Sequence, residues 1–136
     1  MLSLASLSVA PPDSDQPYVL LVDDHEPSLL KLRLVLETAG YDCVSATSAS
    51  EALEYCDTRP PTLVVTDLRM PRMDGPGLAR WLQARYPTTP VVLVTGEALD
   101  SPTLRMLHRT FAAVLGKPLD VEPFLEILGD LMRPCR

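Results

Sequence analysis

The stretch Leu63-Val64-Val65-Thr66-Asp67, continued by Leu68-Arg69-Met70-Pro71-Arg72-Met73-Asp74-Gly75, decides how this chain is read. A short apolar run ends abruptly in a carboxylate, and a loop turning on Pro71 and Gly75 follows. Continuous apolarity over so few residues, bounded by turn formers, fits a strand buried on both faces, as in a parallel sheet. Asp67 then stands at the strand's end as a chemical centre, with the rest of the chain placing groups around it.

Working outward, the same pattern recurs on both sides. Tyr18 to Val22 is an apolar run ending in Asp23-Asp24; Pro27 then starts a helix with Leu29, Leu32, Leu36 and Ala39 at helical spacing, closed by Gly40. Tyr41 to Ser45 reads as a short strand, and Ser48-Ala49-Ser50-Glu51 as a capping box before Ala52, Leu53 and Cys56. After the Leu63–Asp67 strand, Pro76 opens a helix carrying Leu78, Trp81 and Leu82. Val91 to Thr95 is a fourth strand, and Ser101-Pro102 cap and start a helix with Leu104, Leu107 and His108. Ala112 to Leu115 is a fifth strand, and Asp120 caps a last helix with Phe124, Ile127, Leu128 and Leu131. Strands alternating with helices predict an α/β domain: a five-stranded parallel sheet, right-handed crossovers, and five helices on its two faces.

Composition agrees with one such domain. The chain has 136 residues, 46% hydrophobic and 22% charged, enough to bury roughly two-thirds of the unfolded surface around a single core. Residues 1–16, with Pro11-Pro12-Asp13-Ser14-Asp15, read as a flexible lead-in, and residues 17–136 as the folded domain. The net charge of −6, with no Lys/Arg stripe, argues against direct binding of nucleic acid or an anionic membrane. Met1 to Ala10, without a basic start and interrupted by Ser3, Ser6 and Ser8, does not read as a signal peptide, and no apolar run reaches membrane-spanning length. Cys43, Cys56 and Cys135 form no metal or redox motif, so they read as free thiols and the protein as cytoplasmic.

In an open parallel sheet, functional groups collect at the carboxyl ends of the strands. Here those ends supply Asp23-Asp24, Asp67, Thr95-Gly96 and, through Gly116, Lys117-Pro118. Three carboxylates in one crevice repel unless a cation neutralises them. Mg²⁺, which takes one or two carboxylates, waters and a phosphate oxygen, suits this group. Lys117 adds a fixed positive charge, Thr95 a hydroxyl, and Gly96 room beside it. A carboxylate so placed can attack a phosphoryl group, giving an aspartyl phosphate.

These residues in this order are recognisable. Leu21-Val22-Asp23-Asp24-His25-Glu26-Pro27, Val65 to Pro71 with Met73-Asp74-Gly75, Val94-Thr95-Gly96 and Gly116-Lys117-Pro118 make the chain resemble a response-regulator receiver domain of two-component signalling, over about Tyr18 to Arg133. The resemblance implies a flavodoxin-like, doubly wound sheet in the order 2-1-3-4-5 and a cis Lys117-Pro118 bond. It implies Asp67 as phosphoacceptor, Asp23, Asp24 and the Arg69 backbone carbonyl as further Mg²⁺ ligands, Thr95 as switch hydroxyl and Lys117 as the cation on the phosphoryl group. Such a protein assists its own phosphoryl transfer and slow dephosphorylation rather than acting as a conventional enzyme. The implied donor is a sensor histidine kinase or phosphotransfer protein. The implied outputs are a downstream protein on the fourth-helix, fifth-strand, fifth-helix face, a phosphorelay step, a separate effector, or a homodimer.

One position departs from the family pattern. Receivers usually carry Tyr or Phe three residues before the lysine, and Val114 stands there. The alternative reading that follows is a phosphate-independent interaction module with an atypical switch. A haloacid-dehalogenase-type phosphatase needs a second Asp two residues after the first, where Arg69 sits. No GxxxxGK or GxGxxG follows the first strand, which excludes a P-loop or dinucleotide site. Arg69 and Glu97, each two residues past a site residue, either tune the phosphoryl group, pair with each other, or are merely solvated. His25 reads as a local structural residue at a helix start.

Overall fold

A computed structural model describes residues 16–132. Most of the proposed lead-in, Cys135 and the last residues lie outside that range. Ten elements alternate: β1 (Val19–Val22), α1 (Glu26–Thr38), β2 (Cys43–Ala46), α2 (Ala49–Thr58), β3 (Leu63–Asp67), α3 (Gly75–Arg85), β4 (Val91–Thr95), α4 (Ser101–Thr110), β5 (Ala113–Gly116) and α5 (Val121–Met132). The strands form one parallel sheet in the order β2-β1-β3-β4-β5. The Lys117-Pro118 peptide is cis.

Strand alternation splits the core into two layers. Leu20, Val22, Val64 and Leu93 face α2, α3 and α4, where Ala52, Cys56, Leu78, Leu82 and Leu107 pack. Val19, Leu21, Val65, Val92 and Val94 face α1 and α5, meeting Leu29, Leu32, Leu36, Phe124 and Leu128. Side chains pointing to opposite faces at successive positions explain why the strands are apolar throughout. Leu36 is fully buried, and truncating such a residue to alanine costs about 2–5 kcal/mol.

The helix starts follow cap chemistry, and two differ from the sequence expectation. His25 caps α1: its Nδ1 accepts from Ser28 N–H at 3.3 Å and lies 2.8 Å from Ser28 Oγ. The structural role expected for His25 is this one. Asp100, rather than Ser101, caps α4, accepting from Thr103 N–H at 2.9 Å, because its side chain reaches the third amide of the helix and Ser101 is already helical. The Ser48 box forms on one side, with Glu51 N–H donating to Ser48 Oγ at 3.1 Å, but the Glu51 carboxylate reaches back to Thr47 N–H at 2.7 Å. Gly40 ends α1 at φ +98°, a conformation that favours glycine.

The strand edges also move slightly. β2 begins at Cys43 rather than Tyr41, and β5 runs one residue later than expected, to Gly116. Leu104 is only half-buried, whereas Leu107, Phe124 and Leu128 are core. Trp81 packs against the core beside Tyr86, with the Arg85 guanidinium 4.6 Å over its ring.

Candidate functional site

Register brings the acidic residues together. Val22 pairs with Thr66, so the next residue on each strand, Asp23 and Asp67, emerges side by side at the carboxyl edge. Asp24 follows in the β1–α1 turn. One carboxylate oxygen from each of Asp23, Asp24 and Asp67 lies within 4.8 Å of the others. Thr95 pairs with Gly116, and Lys117 N–H donates to the Thr95 carbonyl at 2.9 Å, so β4 and β5 deliver Lys117 beside the acids.

Asp23 is 1% exposed, yet its carboxylate is satisfied on both oxygens. Oδ1 accepts from His25 N–H at 2.9 Å, and Oδ2 lies 3.2 Å from Lys117 Nζ. A buried charge is tolerated when paired and hydrogen-bonded in this way. Lys117 Nζ is also 3.8 Å from Asp67 Oδ1. Asp67 Oδ1 accepts from Leu68 N–H at 2.8 Å. The Asp67 carboxyl is held above its ordinary pKa, first by burial and also by Asp23 and Asp24, against the opposing pull of Leu68 N–H and Lys117.

The donor set fits a hard divalent cation. Three carboxylates converge from two adjacent strand ends, Asp24 is exposed, and Asp67 is half-buried, so water can complete the shell. Thr95 is 4% exposed; its hydroxyl accepts from Glu97 N–H at 3.1 Å and makes no hydrogen bond to Asp67. Arg69 Nε and Glu97 Oε2 form a tight ion pair that links the β3–α3 and β4–α4 loops. Of the readings left open for these two residues, direct pairing is the one observed. Val114 lies opposite Leu93 and packs half-buried against the core layer of α2, α3 and α4, while Phe111 is buried at the end of α4. His108 is exposed.

Gly75 has a role that its turn-forming character concealed. A Cβ at this position would run into the carbonyl oxygen of Asp67, and Gly75 N–H donates to Leu68 O at 2.9 Å. The start of α3 is thereby docked against the end of β3. A lone glycine in a loop carries no sequence signal for this contact. Gly96, expected to leave room, is not required sterically: a Cβ there would meet only Lys117 side-chain atoms at 3.8 and 4.0 Å.

The sheet order, the carboxylate cluster at its edge and the lysine after β5 define a class of signalling domain, and comparison with known proteins identifies it. The response regulator receiver domain model matches residues 19–128, and the chain belongs to that family. It is a receiver domain of two-component systems, a phosphorylation-controlled switch. The chain is 32% identical over 120 residues to the transcriptional regulatory protein GlrR of Escherichia coli, a match covering 88% of this chain and 27% of GlrR. The chain therefore spans about a quarter of that relative's length. Polar-differentiation response regulator DivK of Brucella ovis is 28% identical over 112 residues, covering 81% of this chain and 91% of DivK. The crystal structure of a response regulator receiver protein from Pseudomonas putida superposes with a TM-score of 0.76 at 31% identity, covering 85% of this chain and 97% of that one. No helix among the described residues is long and apolar enough to cross a membrane.

Proposed function

We propose that this domain receives a phosphoryl group on Asp67 from the phosphohistidine of a sensor kinase or phosphotransfer protein, and that the change alters its contacts with other proteins. The observation that carries this reading is the placement of Lys117 Nζ between Asp23 and Asp67, beside three convergent carboxylates. Leu68 N–H and Lys117 both engage Asp67 Oδ1. No described protein donor engages Oδ2, which leaves it the oxygen to attack. The Oδ2–phosphorus bond forms as the donor nitrogen–phosphorus bond breaks, and the electron pair returns to the imidazole ring.

Asp23, Asp24, Asp67 and the Arg69 carbonyl would hold Mg²⁺, which when bound neutralises the acids and screens the incoming phosphoryl oxygens. Lys117 is tethered by Asp23 and so pre-positioned to meet those oxygens. Thr95 would exchange its contact with Glu97 N–H for one to the phosphoryl group, drawing the β4–α4 loop inward. The domain is assigned to the cytoplasm, a setting supported by the free thiols Cys43 and Cys56.

The test is incubation with Mg²⁺ and a small phosphodonor, followed by intact-mass analysis. One phosphoryl adduct is expected, absent from Asp67→Asn and without the metal. No adduct, under conditions that label a control receiver, would leave the second reading standing. That reading, a phosphate-independent interaction module, is favoured by Val114 alone, because the strand carries no ring to turn inward.

A further inference from the structure

A cavity of about 680 Å³ lies between α1 and the connection from β5 to α5, and the carboxylate cluster does not account for it. Ser28, Lys31 and Val35, three and four residues apart on α1, fall on one stripe and form one wall. Pro118, Leu119 and Val121 form the other. Leu32 and Val94, 7% and 1% exposed, make the floor. Apolar concave sites of roughly 300–1,000 Å³ are the size that takes a small ligand.

Two further features point to a ligand and to its charge. Leu34 and Val121, 56% and 43% exposed, line opposite sides of the groove, so folding leaves apolar surface at its mouth uncovered. The chain has only two lysines, Lys31 and Lys117, and both line this groove. No acid and no arginine lines it, in a protein of net charge −6. Lys117 Nζ is already engaged by Asp23 at 3.2 Å and Asp67 at 3.8 Å. Lys31 is exposed and forms no ion pair with any described residue, which makes it the cation left for a ligand.

We propose that this groove binds a small organic anion with an apolar body and a single carboxylate, of the alkanoate class. The body would lie between Val35 and Leu119 over the apolar floor, and the carboxylate would meet Lys31 at the rim. One unpaired ammonium matches one carboxylate, and the groove has no guanidinium fork of the kind that grips a phosphate through two hydrogen bonds. The occupant would rest against Pro118 and Leu119, the residues that follow Lys117, and so give the domain a chemical input separate from the phosphoryl group. The inference uses the shape and fixed charge of the groove and does not rest on phosphorylation of Asp67.

Titration of the full chain with octanoate, followed by amide and methyl NMR, tests it. Saturable shifts are expected at Lys31, Leu34, Val35, Leu119 and Val121. Decanoate should bind on the order of tenfold more tightly, because two more methylene groups are buried. Octanol, with a body of the same length and no charge, and acetate, with the charge and no body, should each bind more weakly than octanoate. Lys31→Glu should raise the dissociation constant by about fivefold, since a modest surface attraction becomes a repulsion. Leu34→Glu should weaken binding by a similar factor. Both side chains are exposed, and Lys31→Gln and Leu34→Gln serve if either variant does not fold. No saturable shift with either alkanoate overturns the proposal. So do shifts that map elsewhere, octanol binding as tightly as octanoate, or affinity indifferent to both substitutions. Binding to anionic phospholipid vesicles without binding of free alkanoate overturns it as well.

Discussion

Lys117 Nζ lies 3.2 Å from the buried Asp23 carboxylate, and Asp23 draws its other hydrogen bond from the backbone of His25. The lysine is the side-chain counter-charge of an acid that is 1% exposed. Removing it strands that charge. Lys117→Ala should therefore lower stability by about 1–3 kcal/mol in urea unfolding at neutral pH without Mg²⁺, below the loss for a fully buried pair because Lys117 itself reaches solvent. Lys117→Arg should recover part of it. Equal stability of wild type and Lys117→Ala would show that the ion pair is not supporting Asp23.

Asp67 sits in the opposite balance, with burial and two neighbouring acids raising its carboxyl pKa. The folded state therefore holds this proton more tightly than the unfolded chain. The associated stability is present at acid pH and is lost as pH rises through the elevated pKa. In EDTA, Asp67→Asn should melt higher than wild type at pH 7, with the gap narrowing toward pH 4. A gain of about 1 kcal/mol corresponds to roughly 4 °C for a domain of this size. A lower melting temperature for the variant at pH 7 would contradict the crowding of the three carboxylates.

Two glycines in one helix start make an internal control. A Cβ on Gly75 meets the rigid carbonyl of Asp67, whereas one on Gly77 meets the flexible Met73 side chain at 3.1 Å and Asp74 Oδ1 at 3.3 Å. Gly75→Ala should cost about 1–3 kcal/mol through forced backbone movement, and it should slow phosphorylation by displacing Asp67. Gly77→Ala should be near neutral, since helix propensity favours alanine by about 1 kcal/mol. Chemical denaturation and the labelling rate together distinguish the two.

Cys43 and Cys56 are buried thiols, pushed up to about 12 and about 11 chiefly by desolvation. At pH 8 both should resist iodoacetamide in the native protein and react in urea, as read by peptide mapping. Their neutral forms favour folding up to the ordinary thiol range near 9, and that contribution is lost as pH rises beyond it. Stability should accordingly decline above about pH 9. Native labelling of either residue at pH 8 would show that its helix or strand opens readily.

The fold was legible because each strand is an uninterrupted apolar run ending at a polar residue. Leu63–Asp67 and Val91–Thr95 have the bounds read from sequence, since short, Val-rich apolar runs bounded by turn formers fit a strand buried on both faces. Elements with weaker edges, β2 and β5, shifted by one or two residues because edge strands are defined by pairing, which sequence alone does not contain. The α4 cap moved to Asp100 for a similar reason: Asp and Ser both cap, and the backbone conformation chooses between them.

By itself the sequence determined the chemistry available at Asp67: which strands end in acids, where the lysine and hydroxyl fall, and that Val114 replaces an aromatic ring. Tertiary structure decided how those groups engage. Parallel register placed Asp23 beside Asp67, Lys117 bridged the two, and Arg69 closed on Glu97. It also gave Gly75 its steric duty against the Asp67 carbonyl and brought both lysines to one apolar groove beside α1. Residue type fixes what a group can do, but distances between groups far apart in the chain exist only once the sheet has set its register.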